Sequence, residues 1–282
     1  MRSTSILWRT TAAACFVALM GAGFGASAVA QTATETKPYE PSVGQQGKDV
    51  VWVPSPQALV DRMLELAKIT PQDYLIDLGS GDGRTVITAA KRGVTALGIE
   101  YNPNMVELSQ RAAEKEGVAG KATFMKADLF ETDFSKATVL TMFLLPDINR
   151  RLRPKILDLK PGTRIVSNTF DMGDWTPDQT ADAGESCVSY CRALFWIVPA
   201  KVDGAWKAGD AEMTFEQKYQ MITGTLKRGS SSTQITDGKL TGDQISFKAG
   251  DALYTGKVTG DAIEGVAKTG SGETAFKASR AK

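Results

Sequence analysis

Apolar and polar positions alternate in two distinct textures along the chain. From residue 49 to about 200, short apolar runs are separated by amphipathic stretches, the pattern of a parallel sheet flanked by helices. Strands are predicted at 74–78, 95–100, 122–126, 138–144 and 163–167, and helices at 84–92, 104–116 and 147–159. A helix ahead of them is expected to start with Ser55 as N-cap and Pro56 at the first helical position. Leu59, Val60, Met63, Leu64, Leu66 and Ala67 then follow at helical spacing, and the helix stops before Pro71. From Lys201 the texture changes to short alternating runs such as Met213-Thr214-Phe215 and Gln244-Ile245-Ser246-Phe247. Turn signals at Asp237-Gly238, Gly242-Asp243, Gly250-Asp251 and Gly260-Asp261 punctuate these runs, which predicts an antiparallel meander closed as a small barrel or sandwich. The similar pieces Thr241-Gly242-Asp243-Gln244-Ile245 and Thr259-Gly260-Asp261-Ala262-Ile263 hint at a duplicated hairpin. The expected fold class is α/β: a doubly wound, mostly parallel Rossmann-like sheet over 49–200, followed by a small all-β antiparallel domain over 201–282. Residues 31–48, rich in Thr, Gly and Gln and carrying Pro38 and Pro41, read as an extended linker.

The first predicted strand ends in Asp77-Leu78-Gly79-Ser80-Gly81-Asp82-Gly83-Arg84, and the second ends at Gly98-Ile99-Glu100. Glycines at a strand end let the backbone approach a ligand closely, and an acid ending the next strand can accept both hydroxyls of a ribose. This is the arrangement of a nucleoside-cofactor site. A dinucleotide fingerprint has Gly-x-Gly-x-x-Gly with free amides for a pyrophosphate, whereas here the glycines are spaced Gly79-x-Gly81-x-Gly83 between Asp77 and Asp82. Two carboxylates would repel a pyrophosphate and attract a ligand bearing an ammonium and a sulfonium, which points to S-adenosyl-L-methionine. Asp77 is expected to meet the ammonium and Glu100 the ribose. Asp128, after the third strand, is expected to accept from the adenine amino group, with Leu129 packed on the ring. Gly79, Ser80, Gly81 and Gly83 form the loop; Asn102, with Pro103, most simply starts a helix, with cofactor contact secondary. For Asp77 the plain alternative is a helix cap, and for Glu100 a solvated strand end.

Composition narrows the chemistry. The formal net charge is +1 over 282 residues, so no electrostatic footprint for nucleic acid or an anionic membrane is visible. The chain contains no histidine, which removes histidine triads, histidine bases and most zinc sites, and no metal is expected. Arg2 and Arg9 precede an apolar stretch from Thr10 to Gly25, and Ala28-Val29-Ala30 forms a small-x-small site before Gln31, so residues 1–30 read as a secretory signal peptide and the protein as exported, in a periplasm. A membrane anchor is the second reading, although a spanning helix needs roughly 20 apolar residues and Gly21, Gly23 and Gly25 interrupt this one. A mitochondrial presequence is the third, since no acid precedes Glu35. Past that segment two cysteines remain, Cys187 and Cys191. Along a strand they would stand about 13 Å apart, too far to pair, but across a tight loop about 6 Å suffices. They are either a disulfide of an oxidising compartment or two small buried side chains.

Residues 49–180 resemble the seven-strand lysine methyltransferases, above all the mitochondrial enzymes that modify the ATP synthase c subunit and the adenine nucleotide translocator. The resemblance is carried by Val53-Pro54, Asp77 to Arg84, Ala89-Ala90-Lys91, Glu100-x-Asn102-Pro103, Asp128-Leu129 and Trp175-Thr176-Pro177-Asp178. The cofactor motif is broad; the Val-Pro and Trp-Thr-Pro-Asp segments are narrower. Many amino-methyltransferases place Asn-Pro-Pro-aromatic after the fourth strand, where this chain has Thr141-Met142-Phe143-Leu144-Leu145-Pro146, a departure that argues against amide and adenine-amine acceptors. What the resemblance implies is transfer of a methyl group to protein lysine, membrane-associated proteins among the acceptors, with no nucleic acid partner. A lysine of pKa about 10.4 must lose its proton to attack, and an apolar aromatic channel promotes that by desolvation. Trp52, Phe143, Phe170 and Trp175 are candidates for such a channel, each equally readable as a core aromatic. The competing expectation is an exported, non-catalytic binding module that retains the fold. The oligomeric state, the acceptor and the role of the meander are not legible at this level.

Overall fold

The computed structural model describes residues 39–185 and 187–281, so the expected signal peptide and the first part of the expected linker lie outside the described residues. Its first half runs α1 (Gln57–Leu66), β1 (Tyr74–Leu78), α2 (Arg84–Lys91), β2 (Thr95–Glu100), α3 (Pro103–Lys115), β3 (Ala122–Lys126), β4 (Val139–Met142), α4 (Pro146–Leu157), β5 (Arg164–Asn168), β6 (Gln179–Asp182) and β7 (Arg192–Ile197). The seven strands form one sheet in the order β3-β2-β1-β4-β5-β7-β6. The first five are parallel, while β7 runs antiparallel to β5 and β6 antiparallel to β7. Neighbouring residues of β1 point to opposite faces, as the two-residue period of a strand requires. Leu75 packs with Leu59, Val60 and Leu64 of α1 and Val86 of α2, while Ile76 packs with Ile148, Leu152 and Ile156 of α4. Burial on both faces is why β1 and β4 are mostly apolar, interrupted by the hydrogen-bonded pair Asp77 and Thr141. Each fully buried aliphatic side chain of this kind contributes about 1.5–3 kcal/mol.

The first helix starts one residue later than expected, at Gln57. Pro56 sits at the cap position and makes no side-chain cap bond. Ser55 is diverted from capping: its hydroxyl accepts from Asn168 Nδ2 at 2.9 Å and its carbonyl from Arg84 at 2.7 Å, which ties the helix start to the tip of β5 and to the glycine loop. Residues 39–48, expected as linker, fold back in turns. Gly44 N donates to Trp52 O at 2.8 Å and Trp52 N to Gln45 O at 2.9 Å, so residues 44–52 form a strap.

The second half is a closed antiparallel barrel of β8 (Gly204–Ala208), β9 (Ala211–Lys218), β10 (Met221–Arg228), β11 (Ser231–Thr241), β12 (Gln244–Ala249), β13 (Ala252–Thr259), β14 (Ala262–Thr269) and β15 (Gly272–Arg280). Its alternating residues fill the interior, with Phe215 and Phe247 edge to face at 5.3 Å and Phe247 stacked on Tyr254 at 4.8 Å. The two similar pentapeptides are the turns of alternate hairpins, β11–β12 and β13–β14, with Gly242 at φ 62° and Gly260 at φ 56°. The barrel closes where β15 meets β8 through Ser279 opposite Lys207 and Arg280 opposite Trp206. Arg280 reinforces that seam: its guanidinium lies 4.6 Å from the Trp206 ring centre and donates to the carbonyls of Lys201 and Asp203 at 2.6 Å.

Barrel and sheet are packed together through the Trp175-Thr176-Pro177-Asp178 segment. Trp175 Nε1 donates to Gln220 Oε1 at 2.9 Å, Gln220 Nε2 donates to Thr176 O at 2.8 Å, and the Trp175 ring stacks on Tyr219 at 5.8 Å. Asp174 accepts from Tyr219 at 2.7 Å and pairs with Arg153 and Lys218. The Gly242 turn reaches the sheet domain directly, where Ala200 N donates to Gly242 O at 2.8 Å.

Candidate functional site

Strand order reverses direction between β1 and β4, and a crevice opens at the carboxyl ends of these strands, where ligands bind in open α/β sheets. Asp77 lies at its floor, 6 % exposed, and accepts from the Thr141 hydroxyl of β4 at 2.7 Å. The glycine loop turns over it. Gly79 N and Ser80 N both donate to Ile99 O, at 2.9 and 3.0 Å, which pins the loop to the end of β2. Gly81 takes φ 53°, and a Cβ there would stand 2.7 Å from the Trp52 indole nitrogen, so glycine is required both by conformation and by the strap above it. Glu100 binds the loop from the other side, with Oε2 accepting from Gly81 N at 3.0 Å and Oε1 from Asn102 N at 2.9 Å. Each carboxylate oxygen has a second lone pair, which leaves Glu100 capacity for ligand hydroxyls.

The electrostatics fit a cation. Burial, opposed by the Thr141 hydroxyl and helped by the neighbouring charges of Asp82 and Glu100, pushes the Asp77 carboxyl up to about 7. A buried acid in that state is an incomplete ion pair, and the ammonium of an amino-acid ligand completes it. The Ser80 hydroxyl, also buried in this loop, has no hydrogen-bond partner among the described residues. Both features match a polar, cationic cofactor such as S-adenosyl-L-methionine.

Asp82, expected to share the repulsion of a pyrophosphate with Asp77, is instead bridged by Arg84, whose Nε lies 3.0 Å from each carboxylate oxygen. Among the described residues, the acids left without a basic partner at the crevice are thus Asp77 and Glu100. Gly83 does not line the crevice. It begins α2 at φ 79°, against Phe124 and Ser109, and serves the packing of the loop. Asn102 and Leu129 do line it; Asn102 also caps α3 by accepting from Asn104 N at 3.0 Å. Asp128 faces the crevice as well, but its Oδ1 accepts from Phe130 N at 2.9 Å and its Oδ2 is paired with Lys48 of the strap. The Lys48 ammonium holds the Asp128 carboxyl below the usual carboxylate range.

On the opposite side of Asp77 the lining is aromatic. Phe143 and Phe170, which follow β4 and β5, line the crevice there, and Trp52 lines it from above the glycine loop, beside Gly81. Trp175, the fourth expected channel residue, does not: it is fully buried beneath the barrel, and its carbonyl accepts from Trp196 Nε1 at 2.8 Å. Its indole N–H is taken by Gln220, a non-local contact that no local pattern announces. Phe143 and Phe170 stack at 5.9 Å, and a third ring, Tyr190, meets Phe143 edge to face at 5.0 Å. Phe170 is fixed by its carbonyl, which accepts from Ser167 Oγ at 2.7 Å and from the buried Asn149 Nδ2 at 3.2 Å. Tyr190 and Lys48 were not among the expected site residues. For Tyr190 the one signal in the sequence is its place between Cys187 and Cys191, which form a disulfide with Cα atoms 5.7 Å apart. Neither cysteine is fully buried, so the tight-loop alternative holds and that of two buried side chains does not.

A family model described as the ANTKMT methyltransferase domain matches residues 77–179. Over 151 residues the chain is 42 % identical to a protein-lysine N-methyltransferase of Saccharolobus islandicus, covering 52 % of this chain and 94 % of that protein. It is 40 % identical over 124 residues to the lysine N-methyltransferase of the ATP synthase c subunit from Rattus norvegicus, covering 42 % of this chain and 57 % of the rat protein, little more than half its length. Among solved structures, one described as an RNA methyltransferase from Salinibacter ruber in complex with S-adenosyl-L-homocysteine superposes with a TM-score of 0.50 at 45 % identity. That match covers 53 % of this chain and 96 % of the other.

Proposed function

We propose that this chain, which belongs to the S-adenosyl-L-methionine-dependent protein-lysine N-methyltransferases, methylates lysine in proteins it meets after export. The observation that carries the reading is one crevice with two contrasting sides: a buried, cation-seeking carboxylate at Asp77 and, next to it, the rings of Trp52, Phe143 and Phe170. The bound cofactor supplies an electrophilic methyl on a cationic sulfur. Asp77 holds its ammonium, Glu100 its ribose hydroxyls, and Leu129 packs on its adenine, with Asp128 beside it once Lys48 shares or releases that carboxylate. The aromatic side excludes water from the incoming lysine, which disfavours the ammonium and raises the fraction of neutral, nucleophilic amine. Alignment of the two reactants in a confined space then carries the rate.

Export is supported by Arg2, Arg9 and the apolar stretch that follows them, and by a disulfide, which belongs to oxidising compartments. A periplasmic enzyme with these features would act on proteins of the envelope, membrane-associated ones among them. Incubation of the protein with labelled S-adenosyl-L-methionine, envelope proteins and RNA of its own source tests the whole reading. The expected outcome is label on protein lysine, and none with Asp77→Ala. Label on RNA overturns the acceptor; cofactor binding without any transfer supports a non-catalytic binding module instead.

A further inference from the structure

Resting on the lysine reading, we propose that Tyr190 is a third ring of the acceptor wall and that the Cys187–Cys191 bond is the mount that presents it. Three independent observations converge on this loop. Tyr190 lines the same crevice as Asp77 and completes a contiguous group with Phe143 and Phe170, at ring separations of 5.0 and 6.1 Å. It is also 38 % exposed, so it stands at the mouth of the crevice rather than in the core. Its backbone sits at φ 54°, a left-handed conformation that bulky side chains rarely adopt and that persists only where the surroundings impose it.

What imposes it is the short covalent ring. The disulfide closes the five residues Cys187 to Cys191 at the end of the β6–β7 hairpin, and Ala183 N donates to Cys191 O at 2.8 Å to anchor the neck of the loop. On the adjoining strand, just past β5, Thr169, next to Phe170, is likewise left-handed at φ 61°, and its N–H donates to Arg192 O at 2.7 Å, immediately after the second cysteine. Two unfavourable backbone conformations thus flank one aromatic group and are tied to each other. Strain of this kind clusters where side chains must be aimed. A ring at the mouth offers an apolar surface to the methylene stem of a lysine and a π face to its cationic head. The hydrogen-bond partners of Asp77 and Glu100 lie in β4, the glycine loop and the start of α3, not in this loop, so cofactor affinity should read separately from it.

The test measures transfer of labelled methyl into an envelope protein extract, titrated by extract concentration, with n-butylamine as a mimic of the lysine side chain. Cofactor affinity is measured separately by calorimetry with S-adenosyl-L-homocysteine. Tyr190→Ala should raise the half-saturating extract concentration and the inhibitory concentration of n-butylamine about tenfold with cofactor affinity unchanged, while Tyr190→Phe behaves as the unaltered chain. The Cys187→Ser, Cys191→Ser double variant, confirmed folded by its thermal transition, should reproduce the Tyr190→Ala profile. If Tyr190→Ala transfers as well as the unaltered chain, or loses cofactor affinity in step with transfer, the assignment of Tyr190 fails while the methyltransferase reading stands. If the double cysteine variant matches the unaltered chain, the disulfide is no mount. Failure of the unaltered chain itself to label protein overturns both readings together.

Discussion

At the scale of single residues, Asp77 dominates the pH behaviour of the site. Its folded pKa of about 7 lies above the ordinary 3.8, so the folded state binds this proton more tightly than the unfolded chain does. The stabilisation is therefore complete below about pH 4 and is lost as pH rises to about 7, a change on the order of 4 kcal/mol. Denaturant unfolding of the ligand-free protein should show stability declining across that window, and Asp77→Asn should flatten the decline. Affinity for the cationic cofactor runs the other way, because the ionised acid is the binding form: it should fall as pH drops below about 7. A calorimetric affinity independent of pH between 5 and 8 would remove Asp77 from the ammonium site. Glu100 holds Gly81 N and Asn102 N while lining the crevice. Glu100→Gln keeps one of these two backbone acceptors and turns the other oxygen into a donor facing an N–H, so cofactor affinity should drop by about 1–3 kcal/mol and the melting temperature should fall with it.

At the scale of elements, α4 sets the aromatic side by reaching across to the chain that leaves β5. Asn149 is fully buried and its Nδ2 donates to the carbonyls of Phe170 and Asp171 at 3.2 and 3.0 Å. Asn149→Ala leaves the Asp171 carbonyl without this donor and the Phe170 carbonyl with Ser167 Oγ alone, at a cost of about 1–3 kcal/mol. It should also raise the half-saturating acceptor concentration while sparing cofactor affinity, as read by the same transfer and calorimetry assays. The strands and helices of the first half were legible in the sequence because each is bounded by its own signals: the apolar run Leu75-Ile76 before the glycines, or Pro103 opening α3. The expected cofactor loop likewise rests on contiguous residues. Features that failed to show were those made by distant partners. Ser55 is drawn away from its cap by Asn168, Trp175 is drawn under the barrel by Gln220, and Lys48 is brought to Asp128 by a segment read as linker. The strands β6 and β7 also escaped notice, since β6 is four residues long with a single buried side chain and so has too little periodicity to register.

At the scale of the whole molecule, the barrel is packed on the sheet through a polar joint as well as an apolar one. Gln220 is 6 % exposed and supplies both a donor and an acceptor to the Trp175–Thr176 segment. Gln220→Leu orphans the indole N–H and the Thr176 carbonyl, each worth about 1–3 kcal/mol when buried unpaired. Scanning calorimetry should then show one cooperative transition in the unaltered protein and two separated transitions in the variant; a single unshifted transition would mean that the joint carries no coupling. The barrel has its own narrow point. Its ring is joined at β15 and β8 by the pairs Ser279–Lys207 and Arg280–Trp206 and by Ala281 N donating to Ala205 O at 2.8 Å, with Arg280 fastened over Trp206. Replacing Arg280, as in Arg280→Ala, would loosen this hoop towards an open curl. Such a curl has two raw strand borders able to zip onto a neighbouring molecule, so one arginine clasp keeps this domain from becoming adhesive.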